Sequence, residues 1–193
     1  MLKLIRQRVQ KKRSAEQLYG SIVAQARRED FYRLWRIPDT IDGRFDMIVV
    51  HLFLVLCRMK QEGGDGEQAG RLLIEAFFSD MDDSVRELGA GDLGVPKHVR
   101  KMAGAFYGRL SAYEKAEEGG EISALAHVVR RNFFPDEQGD ENGPEAQAAT
   151  AVARYMQESR EVLQQISFEQ LTAGRVTFSR LISDAKDSEQ GRS

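Results

Sequence analysis

One cysteine, four prolines and three histidines in 193 residues remove several classes of protein at the outset. Cys57 alone cannot form a disulfide within the chain, and His51, His98 and His127 are too few and scattered for a structural zinc site. That cysteine usage fits a reducing compartment. Scarce proline and few β-branched runs argue against a sheet and favour helix. Long hydrophobic runs are missing as well. The longest, residues 47–57 (MIVVHLFLVLC), is interrupted by His51 and is too short to cross a bilayer. Near the start the only apolar island is Leu4-Ile5, far short of a secretory signal. Residues 1–15 are basic and contain no acid, as in transit peptides, so an organellar origin stays open.

Catalytic signatures are absent too. There is no G-x-S-x-G elbow, and GAGDLG has the spacing of neither phosphate-binding glycine motif. Asp80, Asp82 and Asp83 cluster without the glycine and distal glutamate of a calcium loop, and read as helix caps. His51, on an apolar helix, reads as a satisfied core histidine and Cys57 as a small buried hydrophobe. The expectation is a protein that is not an enzyme, with no cofactor, no metal and no small-molecule substrate.

Hydrophobic residues make up 41% and charged residues 30%, a balance that folds. The net charge of -2 hides an asymmetry: residues 1–36 carry ten Lys or Arg against Glu16, Glu29 and Asp30, or +7, which leaves -9 for the rest. A basic arm on an acidic body meets anionic lipid, RNA or the protein's own acidic surface. Within residues 1–12, Leu2, Ile5 and Val9 share a helical stripe flanked by cations, the pattern of a short interfacial helix. The candidate membrane or ribosome contacts are Lys3, Arg6, Arg8, Lys11, Lys12 and Arg13.

Periodicity predicts an all-α fold: one compact multi-helix domain around a central apolar helix at about 41–61, with a basic N-terminal helix and a C-terminal helical extension. Ser14 and Gln17 have the spacing of a capping box opening a second helix, and Asp65 caps one bearing Leu72, Leu73, Ala76 and Phe77. SDMDDSVRELG reads as a short helix of its own. A helix from Pro96 to about Glu118 and one from Ile122 to Phe133 follow. The divisions are residues 1–30 as the arm, 31–135 as the core, 136–145 as an acidic linker, 146–182 as the extension and 183–193 as a disordered tail.

Two features stand out beyond the core pattern. Gly104 and Gly108 form G-x-x-x-G beside Phe106 and Tyr107, where each mid-helix glycine costs about 1 kcal/mol relative to alanine. The small surface serves either close packing inside the fold or a groove for a partner helix. The aromatics Phe31, Tyr32 and Trp35 sit among Arg33 and Arg36, and either cap the end of the core or line a site for an apolar client. The candidate client-binding residues are therefore Trp35, Asp92, Lys97, Arg100, Gly104, Tyr107, Gly108, Arg109 and Tyr113, with Arg109 expected to be an exposed charge.

DFYRLWRIPDTIDGRFDMIVVHLFLVLCRMK, and then FFSDMDDSVRELGAGDLGVPKHVRKMAGAFYGRLSAYEKA, resemble the ubiquinol–cytochrome c chaperone family over about residues 30–135. The string DMDDSVRELGAGDLGVPKHVRKMAGAFYGR is its most specific part. The resemblance implies a helical, non-enzymatic assembly factor for the cytochrome bc1 complex, whose client is newly made cytochrome b or another bc1 subunit. The absence of a long presequence before the matching region fits a bacterial version on the cytoplasmic side of the inner membrane, the mitochondrial matrix side being the alternative. A ribosome- or RNA-associated module acting through the basic arm is the competing function.

Overall fold

The computed structural model describes residues 2–87, 95–135, 140 and 142–180, and among them every regular element is helical. The eight helices are α1 (Leu2–Ala26), α2 (Glu29–Arg33), α3 (Ile41–Lys60), α4 (Gly63–Glu87), α5 (Val95–Glu118), α6 (Ile122–Phe133), α7 (Pro144–Gln164) and α8 (Phe168–Thr172).

The apolar run on α3 places it at the centre, where it touches α1, α4, α5, α6 and α7. Met47, Val49, Val50, Leu52 and Val55 are fully buried, each contributing roughly 1.5–3 kcal/mol of transfer free energy. The helix begins where Thr40 accepts a hydrogen bond from the Gly43 amide at 3.1 Å. Gly43 has to be glycine, since a Cβ there would sit 2.0 Å from the Pro38 carbonyl oxygen. Gly66 on α4 meets the same limit, 1.9 Å from the Met59 carbonyl oxygen, so α4 crosses the end of α3 backbone against backbone.

Two expected boundaries are not there. The Ser14–Gln17 spacing does not start a helix: α1 runs unbroken for 25 residues, because residues 2–19 contain neither proline nor glycine to end it. The two helices expected between residues 65 and 89 are one. Phe77, Met81 and Val85 continue the buried seam of Leu73 at steps of four, and that packing carries the helix through the aspartates. Asp80, Asp82 and Asp83 therefore lie inside α4 and do not cap it. Asp80 instead accepts from the Tyr19 hydroxyl at 2.7 Å, and Asp82 pairs with Arg86 at 2.6 Å.

The segment expected to be an extension is built into the core. On α7, Val152, Ala153, Tyr155 and Met156 are buried, and the helix packs on α3 and α6. Arg58 of α3 fastens its end: Nε donates to the Leu163 carbonyl at 3.2 Å and Nη2 to the Ile166 carbonyl at 2.9 Å, while Nη1 holds Glu62 at 2.6 Å. The Leu163 carbonyl belongs to the last turn of α7, where the intrahelical ladder runs out, and Ile166 lies just past the helix end. The expected Ser167–Gln170 capping box does open α8. The chain beyond it returns across the molecule, where the Ser21 hydroxyl donates to the Gly174 carbonyl at 2.9 Å and Ser159 accepts from the Ser179 amide at 3.0 Å. The expected tail at 183–193 lies outside the described residues, as does half of the acidic linker. No helix among the described residues is long and apolar enough to cross a membrane.

Candidate functional site

The polar groups of the core settle the roles of three residues. His51 is fully buried, and its Nδ1 lies 2.7 Å from the Met47 carbonyl, which can only accept. Nδ1 therefore carries the proton, and Nε2 accepts from the Tyr155 hydroxyl at 2.8 Å. Tyr155 in turn accepts from Gln25 Nε2 at 3.0 Å, so one network joins α1, α3 and α7. Burial outweighs the Met47 contact and pulls the His51 pKa down to about 4. Phe31 and Phe178 pack edge-on against the imidazole ring, with centroids 5.5 and 4.7 Å away. His51 is thus the satisfied core histidine that the sequence implied.

Trp35 belongs to the same cluster. It is 8% exposed, and its ring meets Phe31 at 5.3 Å and Tyr155 at 5.6 Å. The aromatic group closes one end of the core, and Trp35 does not border an open groove. Cys57 departs from expectation the other way: it is only partly buried. Burial, assisted by Glu117, nonetheless pushes its thiol up to about 12.

The candidate residues on α5 fall on two faces. Tyr113 points into the core, is fully buried, and accepts from Asn132 at 3.2 Å. Arg109 is not the free surface charge the sequence suggested. It pairs through Nε and Nη2 with Asp46, which is 1% exposed, the Nη2 contact being 3.3 Å. Its guanidinium also lies 5.3 Å from the centre of the Phe45 ring. Desolvation pushes the Asp46 carboxyl up to about 6 against the opposing pull of Arg109. One sequence signal did point here: Asp46 is a lone acid at the start of an apolar run and needs a cation from elsewhere.

Lys97, Arg100, Gly104, Tyr107 and Gly108 lie on the other, outward face, and all are exposed. A Cβ added at Gly104 or Gly108 would meet nothing within 4 Å. Among the described residues, the internal packing that could have explained both glycines is absent. Tyr107 is 54% exposed and leans toward Phe78 of α4, with ring centroids 6.3 Å apart. Phe78 in turn meets the buried Phe106 at 5.5 Å, so an aromatic step leads from this surface into the core. Asp92 lies outside the described residues.

A second open surface is the first half of α1, where Lys3, Ile5 to Arg13 are exposed. Lys11 hydrogen-bonds Gln68 at 2.5 Å and Lys12 pairs with Glu16 on its own helix. Beside Lys11 lies a cavity of about 300 Å³ whose apolar floor includes Leu18, Met59, Leu72 and Phe168. Among the described residues, no group of three or more His, Cys, Asp and Glu side chains could hold a metal ion.

Comparison with known proteins bears on this arrangement. A sequence model described as ubiquinol-cytochrome C chaperone matches residues 33–178, which takes in α7 and the returning segment as well as α3–α6. Ubiquinol-cytochrome c reductase complex assembly factor 1 of Mus musculus is 27% identical over 121 residues, covering 63% of this chain and 41% of the relative. The Homo sapiens protein of that name is also 27% identical, over 63% of this chain and 40% of its own length. The chain thus spans about two fifths of the mouse and human relatives it matches. The crystal structure of the Cbp3 homolog from Brucella abortus superposes with a TM-score of 0.79 at 36% identity, over 94% of this chain and 97% of that one.

Proposed function

The chain belongs to the ubiquinol–cytochrome c chaperone family, and from that premise we propose that it holds newly made cytochrome b during assembly of the ubiquinol–cytochrome c reductase complex. It acts by binding rather than catalysis, at the cytoplasmic face of a bacterial inner membrane. The client surface is the outward face of α5, formed by Lys97, Arg100, Gly104, Tyr107 and Gly108. One observation carries this reading: two mid-helix glycines stand in open space on either side of a half-exposed tyrosine. Each glycine costs the helix about 1 kcal/mol, and no neighbour among the described residues uses the room it leaves. An incoming helix would use it, since small residues let two backbones approach closely. Tyr107 offers an apolar ring with a polar tip to such a partner, and Lys97 and Arg100 supply a polar rim. Tyr113 and Arg109 fasten the inner side of the helix, Trp35 packs with Phe31 and Tyr155 elsewhere in the core, and none of the three touches the client.

The test replaces Gly104 or Gly108 with alanine in a strain that depends on this protein. Both variants should fold at least as well as the parent by thermal melting, while the level of assembled complex, read from haem absorbance of membranes, falls. Normal assembly with both variants, and with Tyr107→Ala, would remove this face as the client surface.

A further inference from the structure

The first half of α1 carries an apolar stripe that the fold does not use. Ile5 and Val9 are 55% and 48% exposed, although the same helix enters the core from Ala15 onward. At about 100° per residue, the Ile5–Val9 stripe lies about 100° around the helix from the buried seam of Ala15, Leu18, Ile22 and Ala26. It therefore does not continue the seam packed on α4, and among the described residues it stays exposed. The cations are arranged around that stripe. Arg8 and Lys12 border it on one side and Arg6 and Arg13 on the other, while Lys11 turns inward to Gln68. Residues 1–13 hold six cations and no acid, on a chain whose remainder past residue 36 is strongly acidic. Among the described residues Lys3, Arg6, Arg8 and Arg13 form no ion pair. Among the described residues, the arm's one ion pair with an acid is that of Lys12 with Glu16 on the same helix.

We infer that this half-helix lies in the plane of an anionic phospholipid surface, with Ile5 and Val9 among the acyl chains and Arg6, Arg8, Lys12 and Arg13 at the phosphates. An apolar stripe bordered on both sides by long cationic side chains fits a lipid interface, where stems lie along hydrocarbon and charges reach outward. A nucleic acid would engage the cations but has no use for two exposed aliphatic side chains on one line. The body would then hang from the membrane by α1, which Lys11 ties to α4. The inference does not depend on which subunit the client is.

The test is flotation of the full chain with vesicles of phosphatidylcholine containing one third phosphatidylglycerol, compared with pure phosphatidylcholine. The parent should float with the anionic vesicles only, and salt should weaken it. Arg6→Gln, Arg8→Gln and Arg13→Gln together should reduce partitioning about a hundredfold, at about fivefold per cation near such a surface. Ile5→Ser with Val9→Ser leaves the charge unchanged and should still reduce it at least tenfold. All five side chains are exposed, so circular dichroism and melting should match the parent. Equal flotation by the Ile5→Ser, Val9→Ser variant would overturn insertion of the stripe. Failure to float, with tight salt-dependent binding to ribosomal RNA instead, would assign the arm to nucleic acid and overturn the inference altogether.

Discussion

Arg109→Ala separates a supporting role for this charge from a role in recognition, and its cost can be worked out. Asp46 is 1% exposed, and its carboxyl already titrates near 6 in the fold instead of 3.8. At about 1.36 kcal/mol per unit, holding it ionised at neutral pH costs about 3 kcal/mol with Arg109 present. Without Arg109 the buried carboxylate can escape by taking up a proton. At pH 7.5 that caps the cost at about 5 kcal/mol, so at most about 2 kcal/mol is added. The lost stacking on Phe45, 5.3 Å away, adds roughly 0.5–1 kcal/mol. The variant should therefore be less stable at pH 7.5 by up to about 3 kcal/mol, with a melting temperature up to about 6–12 °C lower for a chain of this size. The sign of the pH effect follows. A carboxyl whose folded pKa is raised binds its proton earlier in the fold than in the unfolded chain, so acid favours the fold, and more so in the variant. At pH 5.5 both proteins have Asp46 largely protonated, and the difference should shrink to about 1 kcal/mol. His51 titrates equally in both and cancels. Adding Asp46→Asn should recover most of the loss at pH 7.5. Urea melts of the three proteins at the two pH values check this. A loss under 0.5 kcal/mol, or one that does not change with pH, would refute the buried pair.

The remaining expectations are shorter. Carbon resonances of the His51 imidazole should show no protonation above about pH 5; because its folded pKa is depressed, this group's contribution of about 3 kcal/mol is lost as pH falls from about 6.5 to 4. A midpoint near 6.5 would mean the ring is solvated. Tyr155→Phe removes the donor to His51 Nε2 and the acceptor for Gln25, and should cost about 1–3 kcal/mol with helix content unchanged. No loss would show that network to be idle. Cys57 should react with thiol reagents at pH 8 about three orders of magnitude more slowly than a free thiol, given a pKa pushed up to about 12. Stoichiometric labelling within minutes would contradict that environment. Gly104→Ala and Gly108→Ala should each stabilise the fold by up to about 1 kcal/mol in urea melts, because the added methyl meets nothing. Destabilisation would mean the glycines are packed.

The all-helical class and the central α3 were readable because periodicity and an apolar run report burial directly. Element ends were less readable where a capping pattern falls inside a buried seam. The Asp80–Asp83 cluster looks like a start, yet the spacing of Phe77, Met81 and Val85 outweighs it, and Ser14 looks like one in a stretch with no breaker ahead of it. The place of α7 was hidden for a different reason. Its partners, His51 and Arg58, lie over a hundred residues away in sequence, and no local pattern records such a pairing. On α5 the residue types were recognisable but their sides were not. Fewer than two turns separate an exposed Tyr107 from a buried Tyr113, and only the position of Asp46 decides that Arg109 turns inward.

The central claim is that cytochrome b is the client, and capture during synthesis tests it most directly. The tagged protein would be isolated from membranes after a brief radioactive pulse and the labelled polypeptides identified. Newly made cytochrome b should be recovered with the parent, be lost on chase as the complex matures, and be reduced by Gly108→Ala. Recovery of a different subunit, or of none while the complex still fails to form in the absence of this protein, would contradict the assignment.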